Sequence, residues 1–295
     1  MTFTKKTFLR ATTAVLILFQ APLLPKVIVW DLGYVCFAPK KLKMAWSIGL
    51  PSLVYHKLTG GGDVKKKMFD FLTDTFGQQI PHDLNNPDYV TGDGFVLPEI
   101  WCEHMRGTCS GKDILEKSRK PLKKYFSSKS ERRLIRSLMQ HVFDPHIFAE
   151  HMHPIDETAQ LIEKITSTSD TTCMVLSNFA TDAFEALYAK EESQAIFKHI
   201  PQGNYIVSGH VGMLKPHTNI YEYLKTKLIE NDSRFANASF LAKECIFIDD
   251  QIENIIAARK CGITAYHFDG DTAKLTMELK KAGFLETKQP LRSKL

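Results

Sequence analysis

Several polar residues in this sequence stand directly after, or just ahead of, short runs that have the composition of buried strands and helices. An open α/β sheet binds its ligands outside the carboxyl ends of its strands, so residues at such boundaries could form one site. Three strand ends carry an Asp, a Ser-Asn pair and an Asp-Asp pair, and a Lys precedes a helix between the last two. The residues are Asp31, Ser177 with Asn178, Lys215, and Asp249 with Asp250.

A carboxylate in this setting suits phosphoryl transfer. Asp31 could attack phosphorus to form an aspartyl-phosphate, which divides one difficult displacement into two easier steps. The attack needs a counter-charge, and Mg²⁺ prefers carboxylates, carbonyls, waters and a substrate oxygen. We therefore predict that Asp31, Asp249 and Asp250 bind Mg²⁺, with the Gly33 carbonyl as a neutral ligand. The alternative is that the two adjacent acids only cap the following helix.

The remaining residues of the set suit an anionic substrate. The Ser177 hydroxyl and the Asn178 amide are predicted to bind phosphate oxygens. Lys215 adds a positive charge that would neutralise the phosphate and stabilise the transferring group. The alternatives are a helix cap for Ser177 and Asn178, and a solvated loop position for Lys215.

Five short apolar runs predict the strands that position these residues. The first, second and fourth lack the alternation of a half-exposed strand, which is typical of a parallel sheet buried on both faces, and the third is weaker. The runs are Lys26–Trp30, 172–176, 205–208, 245–248 and 264–268. Helical patterns at 182–189, 217–228 and 252–260 alternate with them. This alternation predicts an α/β fold with a doubly wound, Rossmann-like parallel sheet.

A long insertion separates the first two predicted strands. It contains helical patterns over 64–76, 111–126, 129–143 and 156–167, and few runs that resemble strands. We therefore predict an α-helical cap domain at 36–165 and an α/β core at 26–35 and 166–285. Residues 1–25 form an apolar and basic N-terminal segment, and residues 286–295 form a C-terminal tail.

The motifs at these boundaries, in this order, resemble those of the haloacid dehalogenase-like (HAD) hydrolase superfamily. The resemblance is to its phosphatase branch with a helical cap and an Asp-Leu-Gly first motif, and it covers about residues 26–285. It implies that Asp31 is the nucleophile, that Ser177 and Lys215 bind phosphate, and that Asp249 and Asp250 hold Mg²⁺. The motifs are Val-Ile-Val-Trp-Asp31-Leu-Gly33, Val-Leu-Ser177-Asn178, Leu-Lys215-Pro216, and Ile-Phe-Ile-Asp249-Asp250-Gln-Ile-Glu-Asn254.

One position departs from that pattern. Most phosphatases of the superfamily place a second Asp two residues after the nucleophile, as general acid for the leaving group, and this chain has Gly33 there. General acid catalysis contributes on the order of 10²- to 10⁴-fold, so Gly33 predicts a slower enzyme, a better leaving group, or a proton supplied by water or the cap.

Taken together, the motifs predict a Mg²⁺-dependent phosphatase of a small phosphorylated metabolite. The alternatives are a carbon–halogen hydrolase and a catalytically weakened binding protein.

Composition sets the remaining expectations. The chain has 295 residues and a formal net charge of +5, with Lys and Arg spread along it, which favours solvated helix faces over a nucleic-acid site. The cysteines form no CxxC pair and are predicted to be free thiols, which is typical of a reducing compartment, so we predict a cytoplasmic protein. We also expect a monomer or a homodimer. Residues 8–24 could instead contact a membrane or direct export, because basic residues precede an apolar stretch there.

Overall fold

The computed structural model describes residues 26–58, 60, 62–77 and 97–285. The N-terminal segment and the C-terminal tail predicted from the sequence lie outside these residues. The strands are β1 (Lys26–Trp30), β2 (Phe37–Pro39), β3 (Met152–Pro154), β4 (Thr171–Ser177), β5 (Tyr205–Val207), β6 (Cys245–Asp249) and β7 (Thr264–His267).

Helices account for most of the rest of the described chain. The first seven lie between β2 and β3: α1 (Lys41–Ile48), α2 (Leu50–Leu58), α3 (Val64–Phe76), α4 (Glu99–Met105), α5 (Gly111–Tyr125), α6 (Lys129–Phe143) and α7 (Pro145–His151). The others are α8 (Asp156–Thr168), α9 (Thr181–Tyr188), α10 (Gln194–Phe197), α11 (Ser208–Val211), α12 (Thr218–Asn231), α13 (Ala238–Glu244), α14 (Ile252–Lys260) and α15 (Thr272–Lys281). Two short 3₁₀ helices span Glu191–Ser193 and Ser233–Ala236.

Five strands form one parallel sheet in the order β5-β4-β1-β6-β7. The first strand in the chain is therefore central, and its register places Trp30 beside Val175 on one side and Ile248 on the other. Because all five strands point the same way, the residues that follow β1, β4 and β6 meet at one edge. The sequence motifs at these strands are thus brought together by the sheet.

Both faces of the sheet are covered, which explains the continuous apolar runs. Ile28 and Trp30 pack in one core with β4 residues such as Val175, whereas Val27 and Val29 pack in a second core on the opposite face. Alternate residues of a strand point to opposite faces, so a strand with helices on both sides must be apolar throughout. The predicted fold class, a parallel α/β sheet with a helical insertion, is confirmed.

The insertion is joined to the sheet by a two-stranded ribbon that the sequence did not predict. Strand β2 leads into it and pairs antiparallel with β3, which leads out. Both connections therefore run side by side. Helices α3 to α6 pack around an apolar core of their own, which includes Phe71, Leu122 and Phe143.

Helix α8 packs with the sheet and not with this helical core. Leu161, Ile162 and Ile165 are buried in the same cluster as Ile28 and Trp30. The division into an insertion at 36–165 and a core at 26–35 and 166–285 stays a proposal. These contacts favour an insertion that ends near residue 155.

The insertion touches the core along a second line, beside α9 and α11. The Ser208 hydroxyl donates to the Met105 carbonyl at 2.7 Å, and the Gly111 amide donates to Asp182 Oδ2 at 3.1 Å. Gly107 lies against Gly209 so closely that a Cβ atom on it would overlap the Gly209 carbonyl oxygen and lie 2.8 Å from Thr181 Oγ1. The helical region is thus fixed over the carboxyl edge of the sheet.

No helix in the described part of the chain is long and apolar enough to cross a membrane. The predicted membrane or export role of residues 8–24 falls outside the described residues.

The backbone contact at Gly107 can be measured by a pair of substitutions. Gly107 has φ +76° and Gly212 has φ +69°, so Ala at either position suffers a left-handed strain of roughly 1–2 kcal/mol. A Cβ on Gly212 meets nothing within 4 Å. We expect Gly107→Ala to reduce the free energy of unfolding by about 1–3 kcal/mol more than Gly212→Ala, because of overpacking.

Equilibrium urea unfolding of both variants beside the parent protein gives the two differences. Equal losses at the two positions would show that the insertion does not press on α11 as described.

Candidate active site

Asp31 lies at the centre of the carboxyl edge because it follows the central strand. Its amide continues the ladder by donating to the Ile248 carbonyl at 2.9 Å, so the residue is fixed from the side of β6. Its Oδ1 accepts hydrogen bonds from Ser177 Oγ at 2.6 Å and from Lys215 Nζ at 2.8 Å. Its Oδ2 has no donor among the described residues. One oxygen of a buried carboxylate is therefore held, and the other remains available.

Lys215 is the only cation in this cluster among the described residues, and it is 2% exposed. Its ammonium donates to Asp31 Oδ1, to Asp249 Oδ2 at 2.6 Å and to the Leu176 carbonyl at 3.0 Å. All three of its donors are thus used. Burial disfavours the charge, but the neighbouring Asp249 and Asp31 carboxylates outweigh it and raise the pKa of Lys215. The side chain is held as an ammonium ion.

Asn178 positions that lysine. Its Nδ2 donates to the Lys215 carbonyl and its Oδ1 accepts from the Lys215 amide, both at 2.9 Å. The amide pair ties the end of β4 to the loop that carries Lys215. The sequence predicted Asn178 as a phosphate ligand; the structure shows this positioning contact, and the phosphate role of Asn178 stays a prediction.

Asp249 ends β6 and is fully buried. Its two carboxylate oxygens each accept from Asn254 Nδ2 at 3.0 Å, and Oδ1 also accepts from the Gln251 amide at 2.8 Å. Asn254 stands on α14, so this contact braces the loop that carries Asp249 and Asp250. The hydrogen bond from the Gln251 amide is of the kind that a helix-capping Asp accepts, and it lies just ahead of α14, so it accounts for the capping alternative.

Asp250 completes the carboxylate group and has a buried oxygen, Oδ1, without a hydrogen-bond partner among the described residues. Burial, with the Asp31 and Asp249 charges nearby, raises the pKa of Asp250 to about 7. Ligand oxygens of Asp31, Asp249 and Asp250 lie within 4.8 Å of one another. A buried carboxylate oxygen without a donor is the kind of atom that a metal ion satisfies.

The charge of this cluster does not balance. Three ionised carboxylates and one ammonium sum to −2, in a region where charge is poorly solvated. Burial raises the pKa of Asp31 to about 6, although Lys215 opposes the shift and Asp249 adds to it. A divalent cation would bring the sum to zero. The oxygen-only set and the orphaned Asp250 oxygen therefore fit Mg²⁺, which Asp31, Asp249 and Asp250 would hold.

Gly33 and Tyr34 form the turn that follows the nucleophile candidate. The Tyr34 amide donates to the Phe37 carbonyl at 2.7 Å, and Tyr34 adopts a left-handed φ of 56° with its side chain 54% exposed. A Cβ atom on Gly33 would meet only Asp31 Oδ2, at 3.9 Å. There is thus room at this position for a larger side chain. The Gly33 carbonyl as a metal ligand stays a prediction.

No protein-family model matches the sequence, and no curated protein matches it either. Solved structures of HAD-family enzymes are similar to the chain at low identity. A HAD family enzyme from Bacteroides thetaiotaomicron, solved with magnesium and inorganic phosphate, has 16% identity and a TM-score of 0.47, with 84% of this chain and 96% of that chain covered. A predicted HAD-like family hydrolase from Porphyromonas gingivalis has 17% identity and a TM-score of 0.46, with coverage of 87% and 98%.

A dehalogenase is similar to the same extent. It has 12% identity and a TM-score of 0.45, with 83% of this chain and 85% of that chain covered. The similar structures thus include an enzyme solved with inorganic phosphate and a dehalogenase. The choice between these chemistries rests on the residues of the site.

The raised pKa values of Asp31 and Asp250 predict how pH affects metal binding. Protons and Mg²⁺ compete for the same oxygens, so affinity should be highest above pH 7 and should fall as pH drops through about 7 and then about 6. We expect a loss of at least about tenfold between pH 8 and pH 5. Isothermal titration calorimetry of the metal-free protein with MgCl₂ measures it.

Asp250→Asn provides the comparison. It removes one competing proton, so affinity at pH 8 should drop and its pH dependence should become shallower. A Mg²⁺ affinity that does not change with pH, or that Asp250→Asn leaves untouched, would contradict the assignment of this cluster.

Proposed function

We propose that this chain is a HAD-like, Mg²⁺-dependent phosphatase that hydrolyses a small phosphomonoester through an aspartyl-phosphate on Asp31. One observation carries the proposal. The Asp31 carboxylate is buried and held by the Ser177 hydroxyl and the Lys215 ammonium, beside two further carboxylates. A nucleophile, a positive charge for the phosphate and a cation site therefore share one sheet edge.

In the first step Asp31 is the nucleophile. Its Oδ1 is held by Ser177 and Lys215, which leaves Oδ2 to form a bond to phosphorus. The bond from phosphorus to the ester oxygen breaks, and that oxygen departs with its electron pair. Fixing the carboxylate in advance lowers the entropic cost of the attack.

Ser177 and Lys215 have a second role in this step. Both side chains lie against the attacked carboxylate, so each can exchange its hydrogen bond to Asp31 for one to a phosphate oxygen as the substrate binds. Preorganised donors of this kind stabilise the charge that develops around a transferring phosphoryl group. When bound, Mg²⁺ supplies the counter-charge that lets an anionic phosphate approach Asp31.

The second step releases the enzyme. A water oxygen bonds to phosphorus, the bond from phosphorus to the Asp31 oxygen breaks, and inorganic phosphate leaves. The helical insertion covers the sheet edge through its contacts at Ser208 and Gly111, and so limits access of bulk water to the intermediate.

Carbon–halogen hydrolysis would use the same nucleophile without a metal. It gives no role to a cluster of three carboxylates with an unpaired oxygen on Asp250. Halide release from haloacids in EDTA would support it. A protein that only binds would take up Mg²⁺ and phosphate but would not trap BeF₃⁻ on Asp31.

The first test is hydrolysis of a panel of phosphomonoesters with and without Mg²⁺, beside the Asp31→Asn variant. Asn cannot form the acyl phosphate, so turnover should fall by at least about 10⁴-fold, and EDTA should have a comparable effect. Release of inorganic phosphate is the readout. Equal turnover by Asp31→Asn on every ester would refute the proposal.

Asp269→Asn is the matched control. It makes the same change at an exposed carboxylate that is paired with Lys274 and stands after β7. We expect it to retain the parent activity, which would show that the loss at Asp31 reflects position and not the removal of an Asp.

The second test concerns the missing proton donor. A Cβ atom on Gly33 would meet only Asp31 Oδ2, so Gly33→Asp should place a carboxylic acid beside the leaving group. We expect it to speed hydrolysis of alkyl phosphates by about tenfold or more and to change that of nitrophenyl phosphate little, because only the alkoxide needs a proton.

Gly33→Asn controls for size, since it has nearly the same shape without an acidic proton. If Gly33→Asn accelerates alkyl phosphate hydrolysis as much as Gly33→Asp does, or if Gly33→Asp gives no acceleration, proton donation at this position does not limit the rate.

A further inference from the structure

A cavity of about 460 Å³ opens beside the site, between the sheet edge and the helical insertion. Gly33, two residues after Asp31, and Asn178, which is hydrogen-bonded to the Lys215 backbone, form part of its lining, so the cavity lies next to the carboxylate cluster. Its volume is in the range of pockets that hold a small organic ligand. A phosphate group on Asp31 would therefore have its organic part in this cavity.

The walls of the cavity are mainly apolar. Met68, Phe69, Trp101, Leu138 and Phe148 line it from the insertion. No Asp, Glu or Arg is among the described residues that line it. Lys65 is exposed, so its charge lies at the rim and in contact with water.

Three histidines, His104, His141 and His151, add polar groups to this lining. The Nε2 atoms of His141 and His151 lie 2.7 and 3.0 Å from Ser47 Oγ, and His151 Nδ1 is buried without a partner among the described residues. His104 is the most deeply buried of the three. It is 3% exposed and lines the cavity. Its Nδ1 is 3.0 Å from the Cys109 carbonyl, which can only accept, so Nδ1 carries the proton. Burial lowers the pKa of His104, so the ring is neutral and Nε2 is an acceptor. No donor among the described residues pairs with it.

These features decide which ligands fit. Each ligand hydroxyl that enters an apolar cavity without a partner lowers affinity by about tenfold or more, and a second charge lowers it further. A polyol or a dianionic body would lose several such interactions. A hydrocarbon body gains from burial against Met, Phe and Trp side chains.

We propose that the substrate is the phosphomonoester of an uncharged, mainly hydrocarbon alcohol with few further hydrogen-bonding groups, with which the histidines of the lining would pair. This inference rests on the proposed function, because the phosphate must lie at Asp31 for its organic part to occupy the cavity.

The test compares 3-phenylpropyl phosphate with glycerol 1-phosphate, called phenylpropyl phosphate and glycerol phosphate below. Both are esters of primary alcohols, so their intrinsic reactivities are similar and the missing acid at Gly33 affects them alike. We expect kcat/KM for phenylpropyl phosphate to be at least about 100-fold higher. An equal or higher value for glycerol phosphate would overturn the inference and leave the phosphatase proposal standing.

A pair of variants ties the preference to the cavity. Leu138 and Leu115 both pack, partly buried, on the core of the insertion, but only Leu138 lines the cavity. We expect Leu138→Asn to lower kcat/KM for phenylpropyl phosphate by about tenfold and to leave glycerol phosphate unchanged. Leu115→Asn should change neither. A loss of phenylpropyl phosphate hydrolysis with Leu115→Asn but not with Leu138→Asn would place the organic part of the substrate outside this cavity.

Binding separates this inference from the phosphatase proposal. Phenylbutylphosphonate cannot be hydrolysed and has the length of phenylpropyl phosphate, and methylphosphonate lacks the hydrocarbon body. With Mg²⁺ present, calorimetry should give an affinity at least about 50-fold higher for the longer compound. If that holds while no ester is hydrolysed, the phosphatase proposal fails and the cavity assignment stands. Equal affinities would overturn the cavity assignment.

Discussion

The site depends on one buried ammonium placed among three carboxylates. Lys215 bonds to both Asp31 and Asp249, and it compensates only part of their charge and that of Asp250. Burial, together with the neighbouring carboxylates, raises the pKa values of Asp31 and Asp250, and the remaining imbalance makes the cluster a receptor for a divalent cation. The same lysine, held through its backbone by Asn178, keeps Asp31 oriented. Charge, orientation and metal preference thus follow from a single contact set.

The fold supplies this arrangement through the order of its strands. The chain begins its sheet in the middle, so Asp31 has β4 on one side and β6 on the other. Ser177 and Asp249 reach it from those neighbours across the distance between adjacent strands. The insertion enters and leaves through the β2–β3 ribbon directly after the nucleophile, so its helices cover that same edge. The apolar cavity results from this placement.

The sequence was sufficient for the sheet and for the residues that meet at its edge. The strand Lys26–Trp30 and the helices Val64–Phe76 and Ile252–Lys260 have the predicted bounds, because burial on both faces or a regular apolar stripe marks them clearly. Strands β2 and β3 have three residues each, too few to show a period. Helices α1 and α2 bury no side chain, so they carry no apolar stripe to detect. The Asn178–Lys215 contact and the orphaned Asp250 oxygen depend on tertiary packing and have no local signal.

The central claim is that Asp31 carries the phosphoryl group during turnover. Its most direct test is a single turnover with excess protein, Mg²⁺ and a hydrolysed phosphomonoester, quenched in acid and mapped by peptide mass spectrometry. The account predicts a Mg²⁺-dependent acyl phosphate on the peptide that contains Asp31, and none in EDTA. Phosphate release without any such adduct, or with the adduct on another residue, would contradict it.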